Sequence, residues 1–307
     1  MTLGRFGLRK GDYDFPPFRP PSEASSLLLR VTRGCPWNRC TFCSMYKGTK
    51  FEIRDLDEIL GDIELAKELY GDRVRTVFIG DSNSLTVKTQ MLVQVLSSLY
   101  ASFPQLERVT SYARAKTLAK KPIDDLEKIR QAGLTRLHVG LETGDRDLLK
   151  EIQKGATPEE MVEAGKKSRQ AGFEYSLYVL LGIGGEEKWE KHARGTAEVL
   201  NQIDPHFIRV RTFVPQANSP LYQAVEEGHF HLPSPETILK ETKLLLEELQ
   251  VTSQFLSDHI SNLLPIHGKL PEDKGKMVRM IDEALKGLEE NEELREEMEM
   301  RRHLTNL

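Results

Sequence analysis

Cysteine is almost missing from this chain. There are three in 307 residues, and all of them lie between Cys35 and Cys43. None stands elsewhere to close a long-range disulfide, which excludes a disulfide-stapled secreted scaffold and fits a reducing compartment. None is left for a second thiolate-bound centre either. Long apolar runs are also lacking: no stretch approaches the roughly 18 residues of a membrane span. The segment Met1–Lys10 carries Arg5, Arg9 and Lys10 with no apolar stretch behind them, so no secretory signal is expected there. A cytoplasmic location is expected, with no membrane partner. An excess of one charge is missing too, since the net charge is only −4. Bulk attraction to a polyanion is thereby excluded as the basis of function, and RNA becomes a minor expectation.

What the chain does have is concentrated in Gly34-Cys35-Pro36-Trp37-Asn38-Arg39-Cys40-Thr41-Phe42-Cys43. Three sulfurs inside nine residues form a loop folded around something, because strands and helices space their contacts more widely. Thiolates favour iron–sulfur clusters and zinc. Structural zinc wants a fourth protein ligand at short spacing, and the nearest histidine, His138, lies nearly a hundred residues further on. A [4Fe–4S] cube held by three thiolates keeps one iron open for a ligand that is not protein.

The rest of the chain alternates short apolar runs with amphipathic helical segments. Before it lies an arm, residues 1–24, whose run Phe15-Pro16-Pro17-Phe18-Arg19-Pro20-Pro21 favours extended chain, anchored by Phe15 and Phe18. Strands are expected at Ser26–Thr32, Val74–Ile79, Arg108–Tyr112, Thr135–Leu141, Glu174–Leu181 and Phe207–Val214. Helices are expected between them, one opening on the capping box Thr157-Pro158-Glu159-Glu160. Six strands, each followed by a helix, imply an α/β fold with parallel strands and right-handed crossovers. Open sheet and barrel are both compatible with that pattern. Residues 25–215 form this core, and 216–307 a mainly helical C-terminal extension ending in a charged tail.

The cysteine loop resembles that of the radical S-adenosylmethionine (radical SAM) enzymes, C-x3-C-x2-C with an aromatic before the last cysteine. Phe42 takes the aromatic place, and the first gap is one residue longer, Pro36 to Arg39. The likeness covers roughly residues 25–215 and points to the elongator-like, methylthiotransferase-like and oxygen-independent coproporphyrinogen oxidase-like branch. It implies a partial (β/α)6 TIM-type barrel. It also implies a [4Fe–4S] cluster on Cys35, Cys40 and Cys43 whose open iron is chelated by S-adenosylmethionine.

In β/α folds the working groups stand at the C-terminal ends of the strands. There the resemblance implies cofactor-binding roles for Gly80, Asp81 and Ser82 after the second strand, Arg114 after the third and Gly182 after the fifth. Glu142 lies in Gly140-Leu141-Glu142-Thr143-Gly144, which resembles a Gly-x-Glu-Ser-Gly element whose glutamate meets ribose hydroxyls. Its plainer role is to face the N-terminus of the next helix. Arg209 and Arg211 share one face of the sixth strand and suit a carboxylate, of the methionine moiety or of an acidic substrate. Pairing with internal Asp or Glu is the alternative. Asp258 and His259 are candidates for general acid and base, or for pinning the C-terminal helix. His138 reads as a core histidine, while His192, His229 and His231 have no assignable partner.

The expected function is reductive cleavage of S-adenosylmethionine to a 5′-deoxyadenosyl radical that takes hydrogen from a small-molecule substrate. A flavodoxin- or ferredoxin-like partner would supply the electron. An iron–sulfur electron carrier, or a redox-responsive binding protein without S-adenosylmethionine chemistry, is the alternative.

Overall fold

Short β-branched and leucine-rich runs become strands here, and the amphipathic stretches between them become the helices that cover the strands. The computed structural model describes residues 18–301, so most of the expected arm, including Phe15, lies outside the described residues. Phe18 is described, and its ring meets Tyr46 edge to face at 5.7 Å. The chain divides into two compact units, interleaved in sequence.

Among the described residues, the first unit comprises 18–38, 45–139 and 167–175. Its elements are β1 (Leu27–Arg30), β2 (Thr32–Arg33), β3 (Glu52–Ile53), α1 (Leu56–Tyr70), β4 (Thr76–Gly80), α2 (Thr89–Ser102), β5 (Arg108–Ala113), α3 (Ala115–Lys120), α4 (Ile123–Gln131) and β6 (Leu134–Glu142). Strands β1, β4, β5 and β6 pair in that order, all parallel. The small antiparallel ribbon β2–β3 closes the base of the segment that carries the cysteines. Helix α1 is capped by the Asp55 side chain, which accepts from the Asp57 N–H, and it buries Ile59, Ile63 and Ala66. Leu69, near the end of the helix, is half exposed at 51%.

Among the described residues, the second unit comprises 39–44, 140–166 and 176–301. It continues with α5 (Arg146–Glu151), α6 (Pro158–Gln170), β7 (Glu174–Leu181), α7 (Gly185–Ile203), β8 (Phe207–Thr212), α8 (Pro220–Glu226), α9 (Pro235–Glu248), β9 (Gln254–Leu256), β10 (His267–Lys269), α10 (Lys274–Glu290) and α11 (Glu292–Arg301). The chain passes between the units inside β6, α6 and β7. Strands pair in the order β7-β8-β9-β10, parallel except for the last pair. The capping box forms in both halves: the Thr157 N–H donates to Glu160 Oε2 at 3.0 Å, and the Glu160 N–H to Thr157 Oγ1 at 3.3 Å.

The architecture is therefore α/β and mostly parallel, and neither run of strands closes on itself. The C-terminal extension departs from expectation by adding two strands. At three residues each, β9 and β10 are too short to show a periodicity, and β9 extends the parallel set beyond the sixth strand. No helix among the described residues is long and apolar enough to cross a membrane.

Candidate functional site

In the first unit, the groups after β4 reach the root of the cysteine loop. Asp81 Oδ1 stands 3.3 Å from Nε of the buried Arg30, and Asp81 Oδ2 accepts from the Gly34 N–H at 2.8 Å. Ser82 Oγ donates to the Gly34 carbonyl at 2.9 Å. Both polar groups of the residue preceding Cys35 are thus held by the turn that follows Gly80. Asn38, at φ +48, donates its N–H to Cys35 Sγ at 3.4 Å and its Nδ2 to the Tyr46 carbonyl at 2.7 Å. Asparagine tolerates the left-handed region better than most residues, so the longer first gap is taken up in a tight turn at Asn38. Arg114 lies 5.3 Å over the Trp37 ring, and its N–H donates to Asn83 Oδ1 at 3.1 Å.

In the second unit, the Cys43 N–H donates to the Cys40 carbonyl at 3.4 Å, and Thr41 bridges two helices. Its N–H donates to the carbonyl of Ile152, just past α5, and its carbonyl accepts from Leu221 of α8. Phe42 packs against the buried cluster Leu148, Ile152, Ile183 and Phe213, with Lys154 Nζ 5.9 Å above its ring. None of the three cysteines is in a disulfide, and all are partly exposed. Among the described residues, no three His, Cys, Asp or Glu side chains are gathered to hold a single metal ion.

Glu142 ends β6 at φ +63, and its Oε1 accepts from Lys154 Nζ at 2.7 Å. Its Oε2 has no partner among the described residues. The side chain folds back over Gly140, where a Cβ would collide with the Glu142 carboxylate and lie 2.8 Å from Lys154 Nζ. This gives the Gly-x-Glu spacing a steric reason. Behind this point lies a fully buried pair. His192 of α7 gives one ring nitrogen to the Glu142 carbonyl at 3.1 Å and the other to Glu241 of α9 in a short hydrogen bond. Glu241 also accepts from the Gly182 N–H, at 3.0 Å to Oε2. Burial works against a charged imidazole, but the Glu241 carboxylate and the Glu142 carbonyl hold His192 above its ordinary range.

On β8, Arg209 donates to Asp258 Oδ2 at 3.2 Å, and Arg211 lies 5.5 Å over the Tyr178 ring. His259 Nδ1 meets Ser261 Oγ at 2.8 Å.

The Radical SAM superfamily model matches residues 29–194, more than half of the chain. This chain belongs to the Radical SAM superfamily. The heme chaperone HemW of Bacillus subtilis is 21% identical over 218 residues, which cover 69% of this chain and 56% of that protein. An uncharacterized methyltransferase of Pyrococcus horikoshii is 21% identical over 242 residues, 77% of this chain and 49% of that one. The chain thus spans about half the length of these curated relatives. Coproporphyrinogen III oxidase (HemN) from Escherichia coli shares the fold, with a TM-score of 0.57 at 17% identity over 73% of this chain and 52% of that structure.

Radical SAM proteins bind a [4Fe–4S] cluster and S-adenosylmethionine. The donor set here fits a cluster: three unbridged thiols, one of them with a backbone N–H aimed at its sulfur. Hydrogen bonds to sulfur tune cluster potentials. Asp81 and Ser82, expected near the cofactor, are engaged with the protein's own groups, and Arg114 stacks on the cysteine loop. Arg209 has the internal carboxylate foreseen as its alternative, and Asp258 supplies it. Sequence reasoning missed the pair His192–Glu241. The available signal was Glu241 itself, a charged residue on the apolar stripe that Ile238, Thr242 and Leu245 mark on α9.

Proposed function

We propose that this chain is a radical SAM enzyme acting on a small molecule, with Cys35, Cys40 and Cys43 holding the cluster. When bound, the cluster and S-adenosylmethionine supply a 5′-deoxyadenosyl radical by one-electron reduction of the sulfonium. The observation that carries the reading is the set of three cysteines, none in a disulfide, in one short loop inside the matched region. The chain's own share is positioning. Asp81 and Ser82 fix the loop root through Gly34, Phe42 anchors its other half in an apolar cluster, and Glu142 offers an unengaged carboxylate oxygen to ribose hydroxyls. Partial-barrel curvature of the strands belongs to this reading. So does an electron donor of acidic surface, flavodoxin- or ferredoxin-like. A groove of about 380 Å³ lined by Arg114, Lys116, Lys120 and Lys121 suits such a donor.

The test is electron paramagnetic resonance of the anaerobically reconstituted, reduced protein with and without S-adenosylmethionine. A cluster signal that changes shape on adding the cofactor supports the reading, and a signal indifferent to it sinks it. In Glu142→Ala the cluster signal is expected to persist while 5′-deoxyadenosine formation, followed by chromatography, falls at least tenfold. The similarity to heme chaperones favours a second reading, a carrier without radical turnover. That reading requires stoichiometric hemin binding, visible as a Soret band, and no 5′-deoxyadenosine.

A further inference from the structure

Strand β8 puts Ile208 and Val210 into the core and turns Arg209 and Arg211 to its other face. In register beside Arg209 on β7 stands Tyr178. The turn after β9 is fastened to β8 by Asn262, whose Oδ1 accepts from the Thr212 N–H at 2.7 Å and whose Nδ2 donates to the Val210 carbonyl at 2.9 Å. Ser257 Oγ closes the same turn on the Leu264 carbonyl at 2.8 Å. This held turn brings Asp258 and His259 to the two arginines, with unequal results.

Arg209 receives a carboxylate and Arg211 does not. Among the described residues no hydrogen bond or ion pair to Arg211 is seen, and the Tyr178 ring lies against one face of its guanidinium. His259 cannot neutralise it. The Ser261 N–H donates to His259 Nδ1 at 3.2 Å, so the neutral ring carries its proton on Nε2. Burial, and then the charge of Arg211, push this imidazole down to about 4, against the pull of Asp258. Nearby, Arg209 Nε is buried without a hydrogen-bond partner, its side chain only 7% exposed. A permanent cation and an N–H donor thus lie close enough for the charge of Arg211 to act on the His259 ring. Neither Arg211 nor His259 is fully buried, so the oxygens of a ligand can reach both.

We propose that Arg211 and His259 Nε2–H bind a carboxylate of the substrate, Arg211 through two parallel N–H···O bonds and His259 through one. The substrate class is thereby a small carboxylic acid. Asp258 has the complementary task of neutralising Arg209, so that one guanidinium faces the ligand. The proposal rests on the radical SAM reading for what the bound molecule undergoes, but not for its binding. A carboxylate could also come from the methionine moiety of the cofactor, and the experiment separates the two sources.

The reconstituted full chain is titrated separately with succinate, followed by thermal shift, and with S-adenosylmethionine, followed by calorimetry. Wild type, Arg211→Met, His259→Gln and His259→Leu are compared. Saturable succinate binding is expected in wild type. It is expected to weaken at least tenfold in Arg211→Met and several-fold in His259→Leu, and to be largely kept in His259→Gln, which retains a donor. Affinity for S-adenosylmethionine should stay within twofold throughout. Absence of saturable succinate binding in wild type overturns the proposal, as does binding indifferent to Arg211. A tenfold loss of S-adenosylmethionine affinity in Arg211→Met also overturns it, by giving the carboxylate to the cofactor. A cluster spectrum unmoved by S-adenosylmethionine in wild type would remove the radical reading alone and leave the carboxylate site standing.

Discussion

Among the described residues two buried glutamates face buried histidines, one in each unit, and they serve opposite ends of their strands. Glu23 lies just before β1. It accepts from Ser26 Oγ at 2.7 Å and stands 3.3 Å from Arg108, the first residue of β5, and 3.5 Å from His138. Ser26 Oγ also meets Thr76 Oγ1, on the first residue of β4, at 2.8 Å. Glu241 instead meets His192 and the Gly182 N–H, and His192 reaches Glu142. Those two backbone positions follow or end strands, and both have positive φ, +79 and +63. The same chemistry thus fastens strand starts in one unit and shapes strand ends in the other. In β/α folds the first address concerns stability and the second concerns ligands.

The largest effect is expected from His192→Ala. It leaves the Glu241 carboxylate buried without its cation, a loss of about 3–5 kcal/mol for a broken buried pair. It also frees the Glu142 carbonyl, so affinity for S-adenosylmethionine should drop more than tenfold in whatever fraction remains folded. Calorimetric melting and cofactor titration together check this. Unchanged affinity at lowered stability would erase the distinction between the two pairs.

Glu23→Gln comes next, and it should act on stability alone. Burial raises the Glu23 carboxyl, but His138, Ser26 and Arg108 more than reverse this and hold it near 2, against an ordinary 4.5. That difference corresponds to roughly 3 kcal/mol at neutral pH. Denaturant unfolding should show the loss while cofactor affinity stays within twofold.

The two pairs should also separate on the pH axis. A depressed carboxyl contributes stability that is present above its unfolded value, so the Glu23 share is complete above pH 4.5 and fades as pH falls towards 2. A raised histidine behaves oppositely. The His192 share is complete below its unfolded value near 6.5 and fades as pH rises through the higher folded value. Melting temperature followed from pH 2 to 9 should lose its acid limb in Glu23→Gln and its alkaline limb in His192→Gln. A limb that persists in its own variant would assign that titration to another group.

The comparison also marks what was legible in the sequence. Strands of four to nine residues and helices of thirteen to nineteen carry enough periods to be read, and Glu174–Leu181 was placed to the residue. The capping box was legible because both its partners lie within three residues. Helices α3, α5 and α8, of six or seven residues, show too little periodicity. The cysteines, Glu142 and Arg211 could be singled out because each lies in a motif or at a strand end. His192 could not, since its partners are 49 and 50 residues away and only packing unites them. Asp81 illustrates the opposite case. Its place at a strand end was legible, but its engagement with Gly34 and Arg30 depends on a turn that the pattern does not describe.

The smallest change offers the sharpest test of the strand-end pair. Gly140→Ala adds one methyl group within β6. The atoms it would strike are the carboxylate of Glu142 and, at 2.8 Å, Lys154 Nζ, both at the far ends of flexible side chains. The backbone need hardly move, so stability should change by no more than about 1 kcal/mol. The carboxylate, however, must swing out of its folded-back position and release Lys154. Cofactor affinity should therefore fall several-fold while the melting temperature and the His192–Glu241 pair remain as they were. If affinity is unchanged, the position of the Glu142 side chain is incidental, and the pair behind it supports only the backbone of the strand end.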